Sequence, residues 1–407
     1  MPPEPRDSER NPPPAAEGLA FSTRAIHAGA HLNRTSALTP PIFQTSTFKL
    51  PSAAAGAAFT KSTAPSEFYT RWGNPTTKQF EAALASLEGS EAALAFSSGM
   101  GAISALFFTA LSAGDHLLVG RSIYSGVSEL ANVFLPRFGV ESSFADAGRI
   151  EDLDRAIRPN TKLIFVESPT NPTLDVCDLD AVAALGRRRG VLTAIDNTFA
   201  TPVNQRPLSR GFDVVVHAAT KFLGGHSDAT AGVICGSQQL IDRAWYHLKL
   251  IGASLSPFEA WLLLRGLKTL AVRVQQQNDT TLEIARFLAS RPEVERVHYP
   301  GLESHPRHAL ARRQMTGFGG VLSFEVRGGL AAGARLVESL RVIQLAVSLG
   351  GAESIIQHPA SMTHGTLPEE EIRKAGIEPG LLRLSIGLED VEDLRRDLAQ
   401  GLDASCR

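Results

Sequence analysis

Cysteine is scarce, with three in 407 residues. Cys177, Cys235 and Cys406 are widely spaced, match no metal-ligand spacing and, being odd in number, suggest no disulfide framework. A reducing cytoplasm is the simplest setting for such a chain. Excess charge is also lacking: 40 basic residues face 42 acidic ones, a net charge of −2. That balance gives no electrostatic case for nucleic acid or an anionic membrane as partner. No apolar run reaches the length of a membrane span without a charge. The first twenty residues, rich in Pro, Glu and Arg, lack the apolar core of a signal peptide or anchor, and disorder is expected over 1–20. No internal repeat is apparent.

What is present fits an ordinary globular enzyme: 43% hydrophobic and 20% charged residues. A length of 407 exceeds what one core usually spans, so two domains are expected. Residues 21–66 are poor in periodicity and rich in Pro, Thr and Ser, and read as an extended arm packed on the body or on a neighbouring subunit. Asn74-Pro75 opens a helix, with Asn at the N-cap and Pro at the first helical position; Gly89 stops it. Short apolar runs then alternate with helical patterns: 92–96, 116–119, 163–167, 191–195, 214–216 and 232–235. Such alternation predicts an α/β fold with a mainly parallel sheet covered on both faces. A long helix is expected from Ser256 to Gln277. Strands at 320–326 and 381–386 belong to a second, smaller α/β domain. The expected division is 67–262 for the large domain and 263–407 for the small one.

Two groups stand at the carboxyl ends of apolar strands, where ligands of parallel sheets bind. Val191–Ile195 runs into Asp196, and Val214–Val216 runs through His217 towards Thr220, Lys221 and Gly224-Gly225. A lysine there can form a Schiff base and a carboxylate can hold a pyridinium nitrogen, the pair that a pyridoxal phosphate enzyme needs. Taken singly, Lys221 could be a solvated surface residue and Asp196 a turn residue, since Asp-Asn is good turn chemistry. Ser97-Ser98-Gly99-Met100-Gly101 precedes a helix and is either a simple turn or a phosphate cradle. Thr220 could add a hydroxyl to that phosphate. His217 reads as a hydrogen-bonded core histidine. Tyr124 is either a packing aromatic or a ring stacked on a cofactor. Arg383 is a charge inside an apolar strand pattern. It needs either a structural ion-pair partner or a bound substrate carboxylate.

Several motifs occur together and in order: Phe68-Tyr69-Thr70-Arg71-Trp72-Gly73-Asn74-Pro75, Ser98-Gly99-Met100-Gly101, Glu167-Ser168-Pro169-Thr170-Asn171-Pro172, Asp196-Asn197-Thr198-Phe199, Ala219-Thr220-Lys221-Phe222-Leu223-Gly224-Gly225-His226, Ser348-Leu349-Gly350-Gly351 and His358-Pro359-Ala360-Ser361-Met362-Thr363-His364. The chain resembles the transsulfuration, or Cys/Met metabolism, enzymes that use pyridoxal 5'-phosphate, from about Ser22 to about Leu402. The resemblance implies the fold type I, PLP-dependent transferase-like architecture, with a seven-stranded large-domain sheet. It implies that Lys221 carries the cofactor aldehyde, that Asp196 holds the pyridine nitrogen and that Tyr124 stacks on the ring. Gly99, Met100 and Thr220 would hold the phosphate, and Tyr69 and Arg71 would reach the phosphate of a neighbouring subunit's cofactor. Asn171, Ser348 and Arg383 would bind the carboxylate of a small amino-acid substrate. A homodimer is then the smallest active unit and a tetramer of two such dimers is expected.

The chain departs from the family pattern at Ala218, where a phosphate-binding serine is common. Losing one hydrogen bond to a charged group costs roughly 1.5–3 kcal/mol. Enough donors remain for the cofactor still to bind. Val347 stands before the Ser-Leu-Gly motif, where enzymes acting on cystathionine often have a glutamate. An apolar residue there resembles methionine γ-lyases. Ser125-Gly126 lies where those lyases place a cysteine. The expected reaction is γ-elimination on methionine or a related sulfur amino acid, giving 2-oxobutanoate, ammonia and a thiol. The alternatives are γ-replacement on an O-succinyl- or O-acetyl-homoserine and cleavage of cystathionine, with a β-lyase behind them. A non-catalytic relative serving as a binding protein is the contrasting class, and the intact Lys221, Asp196, Tyr124 and Arg383 set argues against it.

Overall fold

Strand positions follow from apolar runs whose alternate side chains enter two different cores. In the computed structural model, which describes residues 18–362 and 377–406, the first such run is β1 (Ala92–Phe96). It is followed by β2 (His116–Gly120), β3 (Glu141–Ala145), β4 (Thr161–Glu167), β5 (Leu192–Asp196), β6 (Val214–His217) and β7 (Gly232–Gly236). They form one seven-stranded sheet in the order β1-β7-β6-β5-β4-β2-β3. β2 to β6 pair in parallel, and β7 runs antiparallel to β1 and β6. On β4, Leu163 and Phe165 join Phe107 and Trp245 on one face, while Ile164 and Val166 join Phe80 and Leu84 on the other. Burying a side chain of this kind contributes roughly 1.5–3 kcal/mol. A one-residue slip would therefore exchange both faces and is strongly opposed.

Helix Pro75–Glu88 starts where expected: Asn74 Oδ1 accepts the Thr76 amide at 2.9 Å, and Gly89 closes the helix at φ 74°. Helix Gly99–Ala110 leaves β1 through the Ser98 cap, whose hydroxyl accepts the Gly101 amide at 3.0 Å. The smaller sheet contains β8 (Val294–His298), β9 (Val321–Val326), β10 (Gln344–Leu345), β11 (Ile355–Gln357) and β12 (Leu381–Ser385), in the order β10-β11-β12-β9-β8. It is antiparallel apart from the β10–β11 pair. The architecture is the expected α/β one.

Three expectations change. Residues 21–66 are not simply extended: helices Phe21–His27 and Ala53–Thr60 interrupt them, the first packed through Ala25 on the large core and the second capped by the Ser52 hydroxyl. The helix expected from Ser256 to Gln277 is two, Pro257–Leu267 and Leu270–Ala289, broken at Lys268-Thr269. Leu263, Leu267, Leu270 and Val274, at the spacing of one helical stripe, still share the large-domain core across the break. The expected division at 262/263 falls inside the first of these helices. The second begins in the large core and ends, at Ile284, Ala285 and Leu288, in the small one. We propose that the domains divide within it. Residues 1–17 of the tail expected to be disordered, and Thr363-His364, lie outside the described residues. No helix among the described residues is long and apolar enough to cross a membrane.

Candidate active site

β6 ends at His217, and the chain turns sharply through Lys221 to Gly225. The turn is held by bonds from the Lys221 amide to the Ala218 carbonyl at 3.1 Å and from the Gly225 amide to the Lys221 carbonyl at 2.8 Å. Gly225 has φ 72°, and a Cβ there would overlap the guanidinium of Arg273. Buried Arg273 in turn donates to the carbonyls of Phe222 at 2.9 Å and Gly266 at 2.8 Å. With its backbone thus fixed, Lys221 reaches out of the large domain. Its Nζ donates to Ser348 Oγ at 2.6 Å. Burial, and then the nearby Arg383 charge, push the amine down to about 8, while Asp196 opposes them. The loop that brings Ser348 is docked through Gly350, at φ 80°, where a Cβ would lie 2.6 Å from the Phe222 amide nitrogen. Ser348 itself has φ 84°, a conformation that costs a non-glycine residue roughly 1–3 kcal/mol.

Asp196 ends β5 and is buried. Its Oδ1 accepts from the Thr198 amide at 3.0 Å and the Thr198 hydroxyl at 2.5 Å. The same hydroxyl accepts from the Ala218 amide at 2.8 Å, tying the carboxylate to the Lys221 turn. Burial raises the Asp196 carboxyl above its ordinary range, against the Thr198 bonds and the charges of His217 and Lys221. His217 is the core histidine expected, bonded through Nε2 to buried Glu88 at 2.5 Å.

Arg383, on β12, is buried without a carboxylate. Its guanidinium donates to Asn171 Oδ1 at 3.0 Å, to the Ser348 carbonyl at 2.7 Å and to Gln357 Oε1 at 2.6 Å. All three acceptors are neutral, and Nε has no hydrogen-bond partner among the described residues. Burial lowers it to about 10. Among the described residues no ion pair holds this cation, and a buried charge left with neutral acceptors is costly. The arrangement suits an incoming carboxylate. Arg273 differs in that each of its three nitrogens, Nε included, has an acceptor: the Thr269 hydroxyl and two carbonyls.

At the third corner, Ser98 takes the Gly101 amide and leaves those of Gly99 and Met100 at the helix N-terminus. A Cβ at Gly99 would lie 2.9 Å from Ala218 Cβ, so Ala218 borders that terminus. Thr220 is near in sequence, but its hydroxyl donates to the Ala231 carbonyl at 3.2 Å and accepts the Ala231 amide at 2.9 Å. Tyr124 is partly exposed at the end of β2, its amide bonded to Glu167 Oε2 at 3.0 Å. Tyr69 and Arg71 stand elsewhere. Arg71 lies over the Tyr69 ring at 5.2 Å and donates to the Lys249 carbonyl, and the Lys249 ammonium is packed by Trp72, Trp245 and Tyr246. The structure thus brings together Lys221, Ser348, Arg383 and Asn171, with Asp196 alongside, and leaves Tyr69 and Arg71 apart from them within one chain.

Three residues near these groups were not among the expected ones: Glu167, Thr198 and Gln357. Glu167 carried a signal, since it ends an apolar strand just as Asp196 does. Thr198 carried a local one, lying two residues after Asp196 at the spacing of an Asx turn; Gln357 carried none, because only folding sets it beside Arg383.

The residues suit pyridoxal phosphate: an amine of lowered basicity, a buried carboxylate and a helix terminus with free amides. Comparison with known proteins agrees. The family of Cys/Met metabolism PLP-dependent enzymes matches residues 22–403. An L-methionine γ-lyase of Pseudomonas putida is 46% identical over 388 residues, covering 95% of this chain and 98% of that protein. An O-succinylhomoserine sulfhydrylase of Pseudomonas aeruginosa is 42% identical over 388 residues, covering 95% and 96%. The crystal structure of cystathionine γ-lyase from Lactobacillus plantarum, complexed with L-serine, superposes with a TM-score of 0.89 at 39% identity, covering 95% of this chain and 100% of that one. A strand-end lysine and carboxylate, a matching fold and a family match over nearly the whole chain lead to one conclusion: this protein belongs to the Cys/Met metabolism enzymes dependent on pyridoxal 5'-phosphate.

Proposed function

We propose that the enzyme catalyses γ-elimination on methionine or a closely related sulfur amino acid, releasing 2-oxobutanoate, ammonia and a thiol. The observation that carries this is the buried Arg383 guanidinium with its unpartnered Nε, next to the Lys221–Ser348 pair and bordered by Val347, which is 61% exposed. The guanidinium recognises an α-carboxylate, and the apolar rim favours a thioether end over a charged one. The methionine γ-lyase relative at 46% identity supports the reading.

Bound pyridoxal phosphate supplies an aldehyde and an electron sink. Lys221 would hold that aldehyde, and its free amine would take the Cα proton of the substrate and move a Cβ proton. Asp196 keeps the pyridine nitrogen protonated. Asn171, Ser348 and Arg383 hold the substrate carboxylate. Tyr124 would lie at the ring and give a proton to the departing sulfur. The Gly99 and Met100 amides would hold the phosphate, and the Thr220 hydroxyl would join them by giving up its bond to the Ala231 carbonyl. Tyr69 and Arg71, placed away from their own Lys221, complete the phosphate site of a neighbouring subunit. The active unit is then a homodimer and the assembly a tetramer of two such dimers. A cytoplasmic setting is part of this reading, supported by the free, buried Cys177 and Cys235.

A second reading, γ-replacement on an acylated homoserine, has its own support. At Gly126, in place of the usual cysteine, a Cβ would lie 2.7 Å from Tyr124 Cε1 and 3.2 Å from Met100 Sδ. The Tyr124 ring occupies the space such a side chain would need. Supplying the purified enzyme with methionine, cystathionine, and O-succinylhomoserine plus sulfide, with 2-oxobutanoate and new sulfur amino acid measured separately, decides the matter. The expected result is 2-oxobutanoate from methionine. Its formation from cystathionine alone, or a new sulfur amino acid as the main product, overturns the leading reading.

Two variants test the anion contacts. Arg383→Leu should raise KM for the amino acid by about a hundredfold, as expected for removing a buried charged hydrogen-bonding group, while the near-visible band of the bound cofactor persists. Ala218→Ser should place a hydroxyl beside the Gly99 terminus. It should tighten cofactor binding by about tenfold or more, equivalent to one charged hydrogen bond, as read by titrating apoprotein with pyridoxal phosphate.

A further inference from the structure

Glu167 ends β4 directly beside Asp196, its register partner on β5. It is 5% exposed and makes no salt bridge among the described residues. Each oxygen accepts one main-chain amide: Oε2 from Tyr124 at 3.0 Å and Oε1 from Asn171 at 2.7 Å. Tyr124 leaves β2, and Asn171 leaves β4. Between β2 and β4 the chain order of the sheet reverses, because β3 is added on one side of β2 and β4 on the other. Such a switch point opens a crevice for ligands, and this one is bridged by a single carboxyl.

We propose that Glu167 is a positioning residue that locks the Tyr124 loop to the Asn171 loop across this crevice, so that the group above the ring and the group on the substrate carboxylate are set together. The inference rests on the roles given above to Tyr124 and Asn171. A carboxyl suits the task because both its oxygens accept. A glutamine of the same shape offers one acceptor and one NH2, and the NH2 would meet an amide N–H donor to donor. An apolar residue would fill the strand end but leave both amides buried without acceptors. The neighbouring Asp196 makes a second carboxylate here costly: burial and that charge raise Glu167 to about 8, with the two amides and Arg383 opposing. A group retained against that cost, in contact with two loops of the site and no cation, is placed for geometry.

The test uses the holoenzyme and its Glu167→Gln and Glu167→Ala variants. Amide hydrogen exchange in the segments holding Tyr124 and Asn171 should quicken at least tenfold, in one segment for Gln and in both for Ala, with the rest of the large sheet unchanged. Freeing the Asn171 loop should appear as a rise in KM, and freeing the Tyr124 loop as a fall in kcat with altered circular dichroism of the bound cofactor. Wild-type exchange, kcat and KM in the glutamine variant overturn the proposal, as does exchange that quickens uniformly across the sheet. Should the variants not fold, the wild type decides: both amides must be protected together, and free exchange at either one overturns the lock. Wild-type enzyme that leaves methionine intact but shows the expected exchange pattern refutes the substrate reading and leaves the lock standing.

Discussion

Lys221→Ala should cut kcat for 2-oxobutanoate release by about 10^3-fold or more, at the upper part of the 10^2–10^4 range for a positioned general base. That corresponds to about 4 kcal/mol of barrier. The fold should survive, because among the described residues the Nζ hydrogen-bonds only the Ser348 hydroxyl, while the turn is held by its backbone and Arg273. A thermal midpoint close to wild type, combined with loss of the lysine-linked near-visible band, would separate chemistry from damage. The lowered basicity of this amine adds a pH signature. Only the neutral amine attacks an aldehyde, so capture of pyridoxal phosphate by the apoprotein should speed up with rising pH and level off near the value of about 8. For an ordinary lysine it would keep rising towards 10.5. A variant that still releases 2-oxobutanoate at the wild-type rate would refute the assignment of Lys221.

Asp196→Asn is expected to have the next largest effect, about 10^2–10^3-fold on kcat, the range for removing one preorganised electrostatic contact in an active site. The substitution keeps the shape and an oxygen for the Thr198 amide and hydroxyl. What it removes is the negative charge that holds a proton on the pyridine nitrogen. Cofactor should remain covalently attached, so the near-visible band should persist with a changed pH response. The apoprotein should be at least as stable as wild type, since the carboxylate is buried and raised in pKa by that burial and has Glu167 as its register neighbour. Thermal melts of both apoproteins check this. Unchanged kcat in the asparagine variant would show that Asp196 does not face the ring.

Much of this organisation was legible because it is written in local pattern. Asn74-Pro75 and Gly89 mark their helix through capping and backbone chemistry that needs no tertiary context. The runs at 163–167 and 192–196 are apolar on both sides, as strands covered on both faces must be. The break at Lys268-Thr269 was not legible, since the helical apolar spacing runs on through it and Gly266, two residues earlier, lies inside the first helix. Tertiary bonds hold it: Arg273 donates to the Gly266 carbonyl at 2.8 Å and to the Thr269 hydroxyl at 3.1 Å. The short helix Phe21–His27 was missed likewise, its stability coming from Ala25 and Ala28 against the body of the protein.

The sequence by itself determined the chemical inventory: an amine and a carboxylate at two strand ends, small residues at a helix start and one cation within an apolar strand. These depend on residue type and local spacing alone. Tertiary structure decided what each group faces. It set Ser348 at 2.6 Å from the Lys221 amine and gave Arg383 neutral acceptors instead of a carboxylate. It also made Glu167 the acceptor for both the Tyr124 and Asn171 loops. Those contacts join segments far apart in the chain, and burial and charge act through space, so they exist only once the sheet and the two domains have closed around them.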